Sequence, residues 1–583
     1  MRNSTQQLFR GVKKTALFLM LGISANISAD VAPATFYVRP VGDATSWSAM
    51  TGVTAEQIIT SNAPAIDTIS TYYFAKGTYV LTATKIDAET QLPMQIAPRL
   101  TTGKIYGGFS GAETTIDLAA RMVEDKDANG IVEPWEFKNE TVFKGAVPAN
   151  DIAGSALRML TVTGGEVNGV TFFDFYFFGD LVPAPAAYAG AIILGIPNSS
   201  PWATSDVIEN AGKLTFCTVR KIRAAGAGPI MMTNQFSTID KCLIEECSTD
   251  GLTPNLGGGA IYMNTLGGRV QNSVLRNNEA KQVGSNAGRG GAIYANTYST
   301  INPKNNAIVE NCLIYNNTAA TWGGAIRIDG VAANRGGQII NCTMVNNSTN
   351  GGGVACVELI QSGLIVNSIV VDDDKDEIRL HSANSFAASN IFGTVVGIAA
   401  NPGTDMVSGK ATADLGFVRP TTTTGAIGSS DGDFFDEDTY NEIRKANFNI
   451  NVATSPAVTT PALTVLPDAY TANAAILIDN KTLLTTDLMG VDRVGTGVVR
   501  TLGAYQFTAA TGLKNLKMGE LNAYAANSSI VVKESEGRMA SIFSVSGQLI
   551  KDVKLMSANA NIPMNAGFYL VKVENKVAKV IVK

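Results

Sequence analysis

The sequence predicts an all-β chain in two parts: a long solenoid of short strands, then a small β-sandwich. Three observations predict it. A strand–turn–glycine unit recurs through the middle of the chain. The composition is rich in glycine and poor in charge, with 57 glycines among 583 residues and only 16% charged side chains, against about 25% in an ordinary soluble protein. After Phe507 the pattern changes to closely spaced alternating strands.

At the N-terminus, Arg2, Arg10, Lys13 and Lys14 precede an apolar stretch from Ala16 to Ala25, and Ala29 precedes Asp30. A basic start, an apolar run too short to span a bilayer and a small residue before the cleavage point together read as a secretory signal over residues 1–29. No later segment has about 18 unbroken apolar residues, so no transmembrane helix is expected in the mature chain. Net charge is −5, and no basic face is present for nucleic acid, whose binders cluster Lys and Arg. The single histidine, His381, excludes chemistry that needs a pair of them. Its neighbourhood offers no assignable partner, so it reads as a loop or surface residue.

Residues 30–507 form the solenoid. The repeat begins "CTVRKIR" at Cys217 and recurs as "CLIEEC" at Cys242, "SVLRNN" at Ser273, "CLIYNN" at Cys312 and "CTMVNN" at Cys342, with a degraded copy at Ser368. In "CLIYNN", Cys312 and Ile314 point one way and Leu313 and Tyr315 the other. A Cys or Ser at one repeat position calls for a small buried side chain. Rungs stacked about 4.8 Å apart line these residues into a ladder. Asn277–Asn278, Asn316–Asn317 and Asn346–Asn347 fall at the next turn, where Asn tolerates left-handed backbone and bonds its neighbours on adjacent rungs. Gly258–Gly259, Gly290–Gly291 and Gly323–Gly324 permit tight bends. Cys217, Cys242, Cys312 and Cys342 therefore read as buried thiols, without the spacing of zinc ligands. Cys247 and Cys356 lie off that ladder.

The pattern resembles the right-handed parallel β-helix (pectin-lyase-like) proteins, and its "GGAI…NN" rhythm is similar to polymorphic outer-membrane protein repeats. "TFYVRPVGDATSWSAM" near Thr35, "FAKGTYVLTAT" near Phe74 and "KIYGGFSGAET" near Lys104 resemble the first rungs of large exported β-helix proteins of the Bacteroides–Porphyromonas type. "DLMGVDR…TLGAYQF", Asp487 to Phe507, looks like their closing rung.

Residues 508–583 are a linker and a sandwich of short alternating strands. "IFSVSGQLIK" and the tail from Gly567 through Phe568, Tyr569, Leu570 and Val571 to Lys583 closely resemble the C-terminal sorting domain of the type IX secretion system. The resemblance implies recognition by the type IX machinery, passage across the outer membrane, and then usually removal of the domain, with the passenger fixed to surface lipopolysaccharide or released.

One stretch points to a metal. "DKDANGIVEPWE", Asp125 to Glu136, fills the calcium-loop pattern D-x-[DN]-x-[DN]-G-x₅-E. Asp125, Asp127 and Asn129 take positions 1, 3 and 5, and Gly130 the sharp turn. Ile131 offers its carbonyl, Glu133 stands at position 9 and Glu136 closes the loop. "TTIDLAARMVE" before it and "PWEFKNE" after it read as short helices, giving an EF-hand-like insertion at about residues 117–140 that holds a structural calcium ion.

Other motifs are weaker. The acidic runs Asp372–Glu377 and Asp431–Tyr440 read as solvated loops. In "TFFDFYFFG", Thr171 to Gly179, one aromatic set (Phe173, Phe175 and Phe177) is expected in the core, and the other outside or under the following loop. A catalytic groove would need Lys221, Arg223, Arg276 or Arg327 beside carboxylates. Arg327 and Asp329 share a strand face and read as a surface ion pair. Function therefore reads as a secreted or cell-surface scaffold, adhesin-like or binding a glycan or host surface protein. The alternative is a polysaccharide lyase or glycoside hydrolase on the same fold.

Overall fold

The computed structural model describes residues 32–83, 98–145, 158–177, 190–196, 208–250, 257–264, 267–282, 288–297, 306–330, 337–350, 356–360, 363–371, 377–381, 385–393, 395–397, 405–427, 437–464, 483–494, 498–508, 521–526, 528–533, 536–544, 549–573 and 576–582. The signal reading at residues 1–29 lies outside them.

Repetition of one short strand pattern produces three long parallel sheets of 12, 14 and 10 strands. Each rung passes through them in that order. In one rung, Thr238–Asp240 joins the 12-stranded sheet, Leu243–Glu245 and Ser248–Thr249 the 14-stranded sheet, and Ile261–Asn264 the 10-stranded sheet. This is the parallel β-helix that the sequence predicts. The register is unbroken from rung to rung: Ile244 pairs with Leu275, Leu275 with Ile314, Ile314 with Met344 and Met344 with Val370. All five point into the coil and belong to its main core, as Cys312 does, while Leu313 and Tyr315 point outward. Burial of each such side chain contributes about 1.5–3 kcal/mol.

Two turns per rung rest on a residue in the left-handed conformation. At the corner between the 12- and 14-stranded sheets these are Phe216, Lys241, Asn272, Asn311, Asn341, Asn367 and Ser389, with φ from 47° to 54°. The next residue on each rung turns inward: Cys217, Cys242, Ser273, Cys312, Cys342, Ser368 and Asn390, all buried. The thiols form no disulfide. Cys312 Sγ donates to Val270 O of the preceding rung (3.6 Å), and the Cys342 amide donates to Ser368 Oγ of the following one (3.2 Å). Burial pushes the Cys242 and Cys312 thiols well above their ordinary pKa, so both stay protonated.

The second turn lies within the 14-stranded sheet. Asp174, Lys221, Glu246, Asn277, Asn316 and Asn346 take φ between 53° and 57°. The following Asn then builds an internal amide ladder. Asn278 Nδ2 donates to Asn317 Oδ1 and Asn317 Nδ2 to Asn347 Oδ1, each at 2.9 Å. Cys247, off the thiol ladder, heads this one: its amide donates to Asn278 Oδ1 at 3.0 Å. Gly290 (φ 65°) makes the third bend, where a Cβ would stand 2.1 Å from Ile293 O.

The turn at Asp174 corrects the aromatic assignment. Left-handed backbone there resets the strand alternation, so Phe172, Phe175 and Phe177 enter the core while Phe173 lies half-buried on the outer face. The loop expected to cover the rest lies outside the described residues.

The stretch from Asp487 to Phe507 does not close the coil as a rung. The last strand of the parallel sheets is Val395–Gly397. The described residues between 405 and 507 instead lie along the outside of the coil, Leu463 and Leu483 on the 12-stranded sheet and most of the rest on the 14-stranded sheet. There Leu415, Phe417, Tyr440, Ile443, Phe448, Leu502 and Tyr505 cover Leu243, Val274, Leu313, Tyr315, Val345 and Ile369. The left-handed asparagines pin this layer: Asn346 Nδ2 donates to Thr421 O (3.0 Å), Asn311 Nδ2 to Thr486 O (2.6 Å), and Asn277 Oδ1 accepts from the Ile427 amide (2.7 Å). Among the described residues no helix is long and apolar enough to cross a membrane.

The C-terminal module has the expected antiparallel strands, a three-stranded and a four-stranded sheet. Val571, Val573, Val580 and Val582 pack with Ile530, Val532 and Ile542 in its own core.

Asn317 both accepts from Asn278 and donates to Leu275 O, Tyr315 O and Asn347 Oδ1 inside the coil. Asn317→Ala strands several buried groups, at about 1–3 kcal/mol each. Urea unfolding should show a loss above about 3 kcal/mol relative to wild type; a loss below about 1 kcal/mol would remove the ladder from this account.

Candidate functional site

The loop Asp125–Glu136 folds around its acidic side chains. Gly130 takes φ 85° and Ala128 φ 57°, which turns the backbone amides of Asn129 and Gly130 toward Asp125 (3.1 and 3.0 Å). Asp125, Asp127 and Glu136 each bring a carboxylate oxygen to within 4.8 Å of the others. Glu133 lies behind them, 4% exposed. Its Oε1 accepts from Asn129 Nδ2 (2.8 Å), its amide donates to Glu136 Oε2 (2.9 Å), and its Oε2 has no partner. Burial, then the charge of Asp127, push the Glu133 carboxyl up to about 9; burial also raises Asp127 and Glu136. Ionised carboxylates packed this way repel one another, and Arg276 offsets the charge of Asp127 (2.8 Å). Of the six predicted ligands, three are gathered, Asn129 and Glu133 stand in the same turn, and the Ile131 side chain is buried in the outer core.

The flanking helices do not form. An antiparallel bridge between Val123 and Phe137 closes the loop, with the Glu124 amide bonded to Glu136 O (3.0 Å) and the Lys138 amide to Met122 O (2.9 Å). Ile131, Trp135 and Phe137 are buried, so tertiary contacts hold this chain extended and override its local helical pattern. The insertion gathers three of its acidic side chains but lacks the helix pair of an EF-hand.

The loop docks on the 14-stranded sheet through Arg276, which is 3% exposed. Arg276 Nη1 donates to Asp127 Oδ2 (2.8 Å), Tyr315 OH (3.1 Å) and Arg444 O (3.1 Å), and Nε to Glu245 Oε2 (2.8 Å). Arg220 reaches Glu245 Oε1 (3.4 Å) and Glu246 Oε1 (3.2 Å), and Arg444 donates to Glu246 Oε1 (2.9 Å). Tyr440 OH donates to Glu245. The two glutamates are driven apart. Burial, then the charge of Glu245, push the Glu246 carboxyl up to about 7; Arg276 and Arg220 hold Glu245 low in spite of its burial.

Beside these groups lies a cavity of about 540 Å³ along the part of the sheet the outer layer leaves open. Its floor is Val142, Phe173, Thr218, Arg220, Leu243 and Glu245 on successive strands. The loop supplies Lys126, Asp127, Trp135, Glu136 and Glu140, and Arg276 and Arg444 close one end.

The remaining residues singled out by sequence are placed as follows. Lys221 Nζ stands 3.8 Å from Glu246, and Arg223 Nε donates to Asp250 (2.7 Å) while stacking on Tyr176 (4.4 Å). Arg327 and Asp329 are paired at 2.7 Å but are not on the surface. They are buried on the 10-stranded sheet with Glu358 (2.5 Å from Arg327 Nη1), Tyr294 (OH 2.8 Å from Asp329 Oδ2) and Trp322, whose ring Arg327 covers. His381 has a partner after all, with Nε2 2.8 Å from Glu358 Oε1. Sequence reasoning missed this cluster, although repeat alignment holds its signal: Tyr294, Arg327, Glu358 and Arg379 occupy one register column. Residues 372–376 and 431–436 of the acidic runs lie outside the described residues. The end of the second run is helix Glu437–Arg444, whose Tyr440 is buried.

Burial, then the charge of Glu245, push the Glu246 carboxyl up to about 7 in the fold, above its ordinary 4.5. Between those values the folded state holds the extra proton, so this group's contribution to stability falls as pH rises from about 5 to 8. The melting-temperature difference, wild type minus Glu246→Gln, should therefore move against wild type over that range; a constant difference would contradict the assignment.

Two comparisons bear on family. A family model described as the Chlamydia polymorphic membrane protein repeat matches residues 311–329, the rung that holds the Asn316–Asn317 turn and the Gly323–Gly324 bend. No curated protein matches the chain.

Proposed function

We propose that this chain is a secreted or cell-surface β-helix scaffold that binds a glycan or a partner protein without transforming it, and that the Asp125–Glu136 loop holds a structural calcium ion. One observation carries the reading. Three carboxylates gather within 4.8 Å, and a fourth, Glu133, is buried beside them with an unpartnered oxygen. Oxygen-only donors of this kind suit calcium. Asp125, Asp127, Glu136, Glu133, Asn129 and the Ile131 carbonyl would hold it, and the ion would add positive charge to that of Arg276 on Asp127. Calcium outside the cell is around millimolar, enough to fill even a weak extracellular-type site.

Support for a surface location comes from the repeat match, whose description names a membrane protein family, together with the export-signal reading of residues 1–29. The C-terminal module, similar to a type IX sorting domain, would engage the secretion machinery. The cavity beside the loop is the place for a ligand. Its lining of Lys126, Lys144 and Arg220 with Glu140, and the aromatic rings of Phe173 and Trp135, suit hydroxyl-rich or acidic groups.

A second reading, a polysaccharide lyase or glycoside hydrolase in the same groove, is favoured by Arg220 and Arg276 each reaching two carboxylates, and by the opposed shifts of Glu245 and Glu246. Against it, these guanidinium groups are already committed to ion pairs, and Tyr440 is bonded to Glu245.

Calorimetric titration of the mature chain with calcium should give one saturable site. At 100 times Kd the ion should add about 2.7 kcal/mol to stability, and Asp125→Ala should abolish that gain; absence of calcium heat would overturn the metal assignment. Incubation with acidic and neutral polysaccharides should give retention that Arg220→Ala weakens, with no new chain ends. Cleavage would replace the scaffold reading with the enzyme.

A further inference from the structure

We infer that the cation loop is a clasp: ion binding at Asp125–Glu136 locks the outer layer, the described residues between 405 and 507, onto the 14-stranded sheet. The inference rests on the calcium reading and extends it to what the ion controls.

The loop and the layer are joined by layer side chains that donate to backbone carbonyls of the loop. Asn447 Nδ2 donates to Asn129 O (3.0 Å), and Arg419 Nη2 donates to Ala128 O (3.0 Å). Both acceptors lie in the turn that must close for the carboxylates to converge. Arg276 completes the joint, with one nitrogen bonded to Asp127 of the loop and to the Arg444 carbonyl of the layer. Below the polar contacts, Ile131 and Trp135 share one apolar cluster with Phe417, Tyr440, Ile443, Phe448 and Ile450. Elsewhere the layer is held by backbone bonds such as Gly425 N–H to Asn346 O (2.7 Å) and Gly503 N–H to Asn367 O (2.8 Å), by asparagine side chains such as Asn346 on Thr421, and by the rest of the same apolar cluster.

The loop gathers four carboxyl groups at this joint, with Arg276 on one of them. Asp125, Asp127, Glu133 and Glu136 fall within 12 residues, and Glu133 Oε2 is buried without a partner. A divalent cation converts that repulsion into a closed turn. The same closure presents the Ala128 and Asn129 carbonyls to Arg419 and Asn447. Coupling of this kind is reciprocal: an ion that favours the docked layer is itself bound more tightly when the layer is docked. Since Arg444 closes one end of the cavity, the clasp also holds that wall.

The test is amide hydrogen exchange on the full mature chain in calcium chloride and in a calcium chelator, with calorimetry alongside. In a fully coupled layer, exchange of amides such as Gly425, Ile427 and Asn451 should slow with calcium, by up to about 100-fold at 100 times Kd. The double variant Asn447→Ala and Arg419→Ala should still bind calcium but lose that protection in the layer while keeping it in residues 124–138. Calcium binding by wild type with no change in exchange between 405 and 507 overturns the clasp and leaves the calcium site standing. No calcium binding overturns both. Equal layer protection in the double variant also overturns the clasp, because the joint would then lie elsewhere.

Discussion

A single residue per corner held in left-handed backbone is the constraint on which this molecule rests. It turns the chain sharply enough for the next side chain to enter the coil, and it does so at the same place on every rung. From that follow the in-register parallel pairing, the two internal ladders and the orientation of both sheet faces. Asparagine meets the requirement at low cost. The rungs that use Phe216, Lys221, Lys241 or Glu246 instead hold them at φ from 53° to 57°, a conformation that costs an ordinary residue about 1–2 kcal/mol, offset by the rung-to-rung hydrogen bonds it permits.

The paired asparagines divide the labour. The second of each pair, such as Asn317, faces inward and bonds the rungs above and below. The first, such as Asn346, faces outward and pins the layer that covers the 14-stranded sheet. The same corner at Glu246 sends a carboxylate among Arg220, Lys221 and Arg444. The candidate groove is thus a local variation of the repeat: where charged residues replace asparagine at the corner, Tyr440 and Arg444 of the outer layer bond Glu245 and Glu246 beside the cavity.

Much of the coil was legible because it repeats. Recurrence of Cys or Ser at 217, 242, 273, 312 and 342 identified the thiol ladder, and the Asn-Asn and Gly-Gly positions identified the turns. Cys247 was not legible as a ladder member, since its partners on later rungs are asparagines. The outer layer occurs once, so Asp487 to Phe507 carried no periodic signal and read as a rung. The gathering of Asp125, Asp127 and Glu136 in one loop was legible because each slot of the pattern is a local requirement. Its flanks were not: the burial of Phe137 and Trp135 against the body, a long-range contact, decides against helix there. Arg276, the residue that joins loop, sheet and layer, was singled out only as a possible base, because its partners Asp127 and Arg444 are 149 and 168 residues away in the chain.

The inward turn after each left-handed corner is tested most directly by its thiols. All six cysteines are buried and unbridged. Alkylation of the folded chain under non-reducing conditions, followed by mass spectrometry, should find six intact thiols that do not react until the coil unfolds, and then react together. A disulfide between any two, or a thiol modified rapidly in the native state, would contradict the stacked architecture.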